Sequence, residues 1–163
     1  MDATGPRIRS AEPADAARIR ALQSHLRQPS PDLLEYGLVA GAVLVSVADE
    51  ERFTGDGGTD GTPAGTETPA SSEPVVGYLL RVDAPNRRGS HLAELVVDPA
   101  FRREGRAREL LSATLRDATG PVTLQAHPAN DAALSLYDSL GFDVIDRRTD
   151  AYADADALVL RHE

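Results

Sequence analysis

The chain contains no cysteine, no lysine and no tryptophan, and aromatic residues make up only 4% of its 163 positions. Without cysteine there is no disulfide, no thiolate metal site and no cysteine nucleophile. No apolar run approaches the roughly 20 residues that span a bilayer as a helix. The opening Met-Asp-Ala-Thr-Gly-Pro has neither the basic nor the apolar segment of a signal peptide. A cytoplasmic protein with no membrane partner is therefore the default expectation. All 17 basic residues are arginines, set against 26 acidic ones for a formal net charge of −9. So acidic a surface argues against nonspecific nucleic-acid binding. The aspartate-rich, lysine-free composition also suggests an acidic, halophile-like proteome. What is present suffices for a core: 41% of residues are hydrophobic, and 163 residues is the usual size of one domain.

Against the acidic background, residues 101–108 carry four arginines and one glutamate. They lie within His91–Leu115, the stretch around which the chain is organised. Leu92, Leu95, Val96 and Val97 make a short apolar run, closed as a strand by Asp98-Pro99 because proline cannot continue a ladder. Ala107, Leu110, Leu111, Thr114 and Leu115 then recur at helical spacing. Cationic side chains at a helix N-terminus oppose the macrodipole. The conflict disappears if the free N–H groups and the arginines share an anion, most simply a phosphate. The reading is strand, phosphate-cradling turn, helix.

Elsewhere, Arg7-Ile8-Arg9 reads as a first strand, and Pro13 opens a helix marked by Ala16, Ile19, Leu22 and Leu26. Gln28-Pro-Ser-Pro31 breaks it, and Asp32 to Leu38 forms a second short helix with Asp32 as cap. Ala42 to Ala48 is a second strand and Val75 to Val82 a third. Between them, residues 54–74 are rich in Gly, Thr, Pro, Asp and Ser, too polar to offset their ordering entropy, and read as a flexible insertion. Asp56-x-Gly-x-Asp60-Gly61 with Glu67 echoes a calcium loop only by chance: the third ligand position is glycine and flanking helices are missing. No metal is expected. Asp83 to Ser90 is a polar turn leading into the fourth strand, His91 to Val97, and the third helix ends at Gly120-Pro121. Val122 to Ala126 is a fifth strand; Asn130 or Asp131 caps a fourth helix with Ala133, Leu136 and Leu140 buried and Gly141 as C-cap. Val144-Ile145 and Leu158-Val159-Leu160 supply two final strands.

Two blocks carry a family resemblance. Arg102-x-x-Gly105-x-Ala107, after Leu-Val-Val-Asp-Pro, resembles the acetyl-CoA signature of the GNAT N-acetyltransferases. Asn130 through Tyr137 to Gly141-Phe142 resembles the asparagine-to-Gly-Phe block that follows it in that family. The resemblance is sharp from about Leu92 to Phe142. It implies an α/β fold, a single GNAT-type domain over residues 1–163 with a mixed, mostly antiparallel seven-stranded sheet splayed between its fourth and fifth strands and about four helices. It also implies acetyl-CoA as co-substrate and an amine acceptor, in a monomer or homodimer.

The implied cofactor residues are Arg102, Arg103, Glu104, Gly105, Arg106, Ala107 and Arg108 at the pyrophosphate, with the backbone of Leu95, Val96 and Val97 pairing the pantetheine arm. Asn130 is a helix cap that, by resemblance, also contacts the cofactor. Tyr137 either fills the face of the fourth helix or, as the resemblance implies, acts as general acid toward the departing sulfur. A phenol near pKa 10 and a thiol near 8.5 make full proton transfer uphill by about 2 kcal/mol. Glu94 is the candidate base, since an acid inside an apolar strand must face water, a partner or a cleft; a solvated strand face is the plain alternative. His127 is the runner-up. His91 and Glu94, three apart on a strand, are expected on opposite faces and make a poor metal pair. The ribosomal-protein alanine acetyltransferase type has a glutamate base where this chain has Gln125, which cannot accept that proton. The run Ala-Glu-Leu-Val-Val-Asp-Pro, with Ala-His after the fifth strand, is also similar to mycothiol-synthase-type members, so a small-molecule acceptor is equally expected. A non-catalytic acyl-CoA-binding regulatory module is the alternative from a different class.

Overall fold

Alternation along the strands divides the apolar side chains between two faces of one sheet, and the helices cover both. The computed structural model describes residues 7–26, 29–48, 74–83, 89–102 and 104–163. Residues 54–73 of the insertion expected at 54–74, with its calcium-like spacing, Arg103, and most of the polar turn expected at 83–90 lie outside the described residues. Seven described strands, β1 (Arg7–Ser10), β2 (Val43–Val47), β3 (Val75–Asp83), β4 (Ser90–Val97), β5 (Val122–Ala126), β6 (Asp143–Tyr152) and β7 (Ala155–His162), form one sheet in the order β1-β2-β3-β4-β5-β7-β6. Every neighbouring pair is antiparallel except β4–β5. The expected mixed, mostly antiparallel sheet is what the chain forms.

Helices α1 (Ala16–Gln23) and α2 (Pro31–Ala40) cover one face, where Ile19, Leu22 and Leu34 pack with Val43, Val45, Val47, Tyr78, Leu80 and Val96. Helices α3 (Arg106–Asp117) and α4 (Asp131–Ser139) cover the other, where Leu110, Leu111 and Tyr137 pack with Leu79, Leu92, Val122, Leu124 and Leu160. Leu26 falls beyond the end of α1 yet still packs on the first cluster. Asp32 is not the cap expected of it: Pro31 takes the first helical position, which its fixed φ suits, and Asp32 falls in the first turn.

Two irregularities interrupt the sheet. In β3–β4, Leu80 pairs with Glu94 but Arg81 with Leu92, leaving Ala93 as the extra residue of a bulge. The bulge shifts the alternation. Leu92 and Leu95 both pack toward α3 and α4, whereas Ala93 and Val96 pack toward α1 and α2. A second irregularity between Ser46 and Val47 of β2 leaves Val76 unpaired in the β2–β3 register.

Candidate active site

Strands β4 and β5 pair at only three positions, Ser90–Val122, His91–Thr123 and Leu92–Leu124. Beyond them β4 continues against β3 as far as Val97, and β5 continues against β7 as far as Ala126. The two strands therefore part where the Ala93 bulge lies, leaving a slot between them, and among the described residues the β5-facing edge of β4 along Leu95, Val96 and Val97 has no strand partner. Exposed backbone of this kind can pair with an extended ligand arm, as an added strand does. The side chain of Leu95 is half-buried and those of Val96 and Val97 are buried, so only their backbone is available there.

The turn after β4 begins with Asp98, whose carboxylate accepts from the Ala100 N–H at 2.9 Å and is met by Arg18 of α1 at 2.6 Å. Burial alone would raise the Asp98 pKa, but the Ala100 N–H and the Arg18 charge hold it below the usual carboxylate value. The turn ends at Gly105, the N-cap of α3, in the left-handed region at φ 83. A Cβ there would meet nothing within 4 Å among the described residues, so glycine is favoured by backbone conformation rather than by crowding. Among the described residues no side chain caps α3, and its first backbone bond runs from Glu109 N–H to the Gly105 carbonyl at 3.0 Å. The N–H groups of Arg106, Ala107 and Arg108 precede that bond and are without helical acceptors. This end of α3 fits an anion.

The arginines do not play one role. Arg102 Nε donates to the Val97 carbonyl at 3.0 Å, and Arg108 Nη2 donates to Ser139 Oγ at 2.8 Å. Both side chains are exposed and keep further N–H groups for a phosphate. Arg106 is buried. Its Nη1 donates to Ser46 Oγ and the Val47 carbonyl, each at 3.0 Å, and its Nε to Glu104 at 3.1 Å. Its guanidinium also lies 5.5 Å from the centre of the Phe101 ring. The side chain is a strut from the turn to the irregular end of β2, and Glu104 serves that strut. Nothing in the local sequence distinguishes these arginines; only contact with a distant strand separates them.

Asn130 is the N-cap of α4, its side chain accepting from Ala133 N–H at 3.2 Å. The other end of α4 fixes Tyr137. Gly141 at φ 96 lets Phe142 N–H reach the Tyr137 carbonyl (3.0 Å) and Gly141 N–H reach that of Asp138 (3.1 Å), a Schellman closure. The Phe142 ring then meets the Tyr137 ring edge-on at 5.8 Å. Burial, with a smaller contribution from Tyr152, pushes the Tyr137 phenol up to about 12. Against a thiol near 8.5, full proton transfer is then uphill by about 5 kcal/mol rather than about 2. A proton from Tyr137 would have to move in concert with departure of the sulfur.

Glu94 faces partners rather than water or a cleft. Its carboxylate is buried and accepts from Gln23 Nε2 (3.1 and 3.0 Å), Ser30 N–H (2.8 Å) and the Tyr78 hydroxyl (2.8 Å). These contacts fill the roughly four acceptor sites of a carboxylate. His127 is also buried and engaged: Nδ1 accepts from Ala129 N–H at 3.0 Å, so the ring proton lies on Nε2, which meets Asp154 at 3.0 Å. The Tyr152 ring packs on it with centroids 4.9 Å apart. The expectation for His91 is corrected by the bulge. His91 Nδ1 meets Thr123 Oγ1 at 3.0 Å, on the face away from Val122 and Leu124, the same face to which Glu94 turns. Among the described residues, no group of three or more metal-ligating side chains is present.

The sequence model of the acetyltransferase (GNAT) family matches residues 33–142, more than half of the chain. The chain belongs to the GNAT acetyltransferase family. It is 54% identical over 52 residues to the mycothiol acetyltransferase of Clavibacter sepedonicus, a match covering 31% of this chain and 17% of that protein. It is 41% identical over 70 residues to the N-alpha-acetyltransferase RimI of Mycobacterium tuberculosis, covering 41% of this chain and 44% of the relative. The match thus spans less than half the length of these curated relatives. Arabidopsis thaliana Naa50, solved with the bisubstrate analogue CoA-Ac-MVNAL, shares the fold with a TM-score of 0.74 at 13% identity over 98% of this chain and 99% of that one. Within this GNAT domain, Gln125 pairs with Val159 of β7 and is half-buried. Like Thr123, it falls on the opposite face from Leu124.

Proposed function

We propose that this GNAT domain transfers the acetyl group of acetyl-CoA to a primary amine, on a small molecule or a protein N-terminus, by direct attack in a ternary complex. The observation that carries the reading is the parting of β4 from β5 beside the uncapped, glycine-headed N-terminus of α3. Acetyl-CoA supplies the activated acetyl group. The α3 N–H groups with Arg102 and Arg108 hold its phosphates, and the free edge of β4 at Leu95–Val97 aligns its arm. Tyr137 gives a proton to the leaving sulfur in a concerted step. The absence of cysteine excludes a thiol acyl-enzyme, which suits direct attack. The Glu94 acceptor sites and both His127 nitrogens are engaged, so the ammonium proton leaves through water rather than directly to either side chain. The partial similarity to a mycothiol acetyltransferase and to an N-alpha-acetyltransferase supports both acceptor classes.

The engaged state of Glu94 and His127 also favours a second reading, an acyl-CoA-binding regulatory module without turnover. Thiol release from acetyl-CoA, measured against alkylamines and tripeptides with free N-termini, separates the two. Release with any amine supports the transferase. Calorimetric binding of coenzyme A without release supports the module, and absence of binding removes both.

A further inference from the structure

The Glu94 carboxylate is the most heavily engaged side chain beside the slot. Its partners come from three parts of the chain: Tyr78 on β3, Gln23 at the end of α1, and the backbone of Ser30 just before α2. Ser30 stands between Pro29 and Pro31, so its N–H is the one backbone donor of that tripeptide. That donor is given to Glu94. A bulge at Ala93 is what turns Glu94 toward this face, and Glu94 lies past Leu92, where β5 has already departed.

The geometry also decides which side of the slot this cluster lines. Helix α3, whose N-terminus fits the phosphates, packs on the face of Leu79, Leu92 and Leu124. A ligand anchored there enters the slot from that side, which leaves the α1/α2 face for the acceptor. We propose that Glu94 is a positioning residue: it clamps Gln23 and Ser30 to the open end of the slot and so sets the wall against which the acceptor amine is held. This rests on the transferase reading. It gives Glu94 a role in acceptor affinity rather than in proton removal.

Two variants, Gln23→Met and Glu94→Gln, test it together. Gln23→Met removes a donor without touching the carboxylate, and Glu94→Gln keeps the size while removing the charge. Hydrogen bonds to a charged group contribute enough that losing one should speed amide exchange at Ser30 by about tenfold, read by NMR. With the amine best used from the alkylamine and tripeptide panel, KM for the amine should rise about tenfold in both variants. The KM for acetyl-CoA, kcat and the shape of the pH profile should stay close to the unsubstituted protein. If Glu94 is instead the base, kcat falls by about 10²–10³ in Glu94→Gln alone, with recovery at higher pH, while Gln23→Met behaves normally. That pattern overturns the proposal. Faster exchange with an unchanged amine KM also overturns it, leaving the cluster a fold element only. Should no amine be turned over, the transferase reading fails by itself, and unchanged exchange at Ser30 would separately refute the clamp.

Discussion

Two buried tyrosines show how the same phenol serves differently according to its neighbours. Tyr78 donates its hydroxyl to Glu94, and burial and that carboxylate together raise its pKa. Among the described residues no hydrogen-bond partner meets the Tyr137 hydroxyl, and its pKa is raised to about 12 by burial first. The phenylalanine variants should therefore diverge. Tyr78→Phe leaves a buried carboxylate short of a donor and should lose about 1–3 kcal/mol in urea unfolding. Tyr137→Phe should scarcely move Tm or coenzyme A affinity but lower turnover by roughly 10²–10³. Because a raised phenol pKa keeps the acid loaded, Tyr137 should impose no loss of turnover between pH 8 and 10. Asp98 supplies the opposite sign. Its pKa is lowered on folding, so its contribution is complete above the unfolded carboxylate value near 3.9 and disappears as pH falls through the folded one. Asp98→Asn keeps an acceptor for Ala100 N–H and loses the Arg18 charge pair. Urea midpoints should show a deficit of about 0.5–1 kcal/mol from pH 5 to 8 that closes below pH 4. A deficit independent of pH would remove the charge pair as its cause. None of these partnerships is visible locally in the sequence, since Glu94 meets residues 71, 64 and 16 positions away.

At the level of elements, what is local is legible in the sequence and what depends on a neighbour is not. The α3 stripe, the Gly141 closure of α4 and the run of β4 follow from periodicity and from residues that permit one conformation. The apolar pattern marks only Val144-Ile145 of β6, although the strand runs from Asp143 to Tyr152. It is an edge strand with residues 143–150 exposed, so Asp146, Arg147, Arg148 and Asp150 replace the apolar alternation that marks a strand. The Ala93 bulge is invisible for a related reason, because bulges belong to a pair of strands and not to one. The phosphate turn combines both cases. Its left-handed glycine is legible, whereas the division of labour among its arginines requires β2. That division predicts two kinds of variant. Arg106→Met should cost about 3 kcal/mol of stability, because it takes the donor from the buried Ser46 hydroxyl and the Val47 carbonyl. Arg102→Gln should change stability by less than about 0.5 kcal/mol yet weaken coenzyme A binding in calorimetry. Equal stability losses in the two would mean that the strut is shared.

The whole molecule is an acidic body with a local cationic site, and the two act on a phosphorylated ligand in opposite senses. A net charge of −9 repels coenzyme A and strains the folded chain by self-repulsion. The exposed donors of Arg102 and Arg108 attract it at contact distance. Salt discriminates between these fields, since at 0.1 M the Debye length is about 10 Å and exposed charges farther apart than that are largely screened. Screening of the diffuse negative field should raise Tm between 0.01 and 0.5 M sodium chloride. Were that field to control binding, coenzyme A affinity would rise over the same range. If the two arginines hold the phosphates, affinity should fall with salt, because contact pairs exchange with chloride and sodium ions as they form. The second outcome is expected, with a shallower salt dependence in Arg102→Gln, which has one contact fewer to lose. Rising Tm with falling affinity would place the anion site at α3 and separate it from the acidity of the surface. A salt dependence unaltered in Arg102→Gln would take Arg102 out of the phosphate site and leave the α3 N–H groups and Arg108 to hold it.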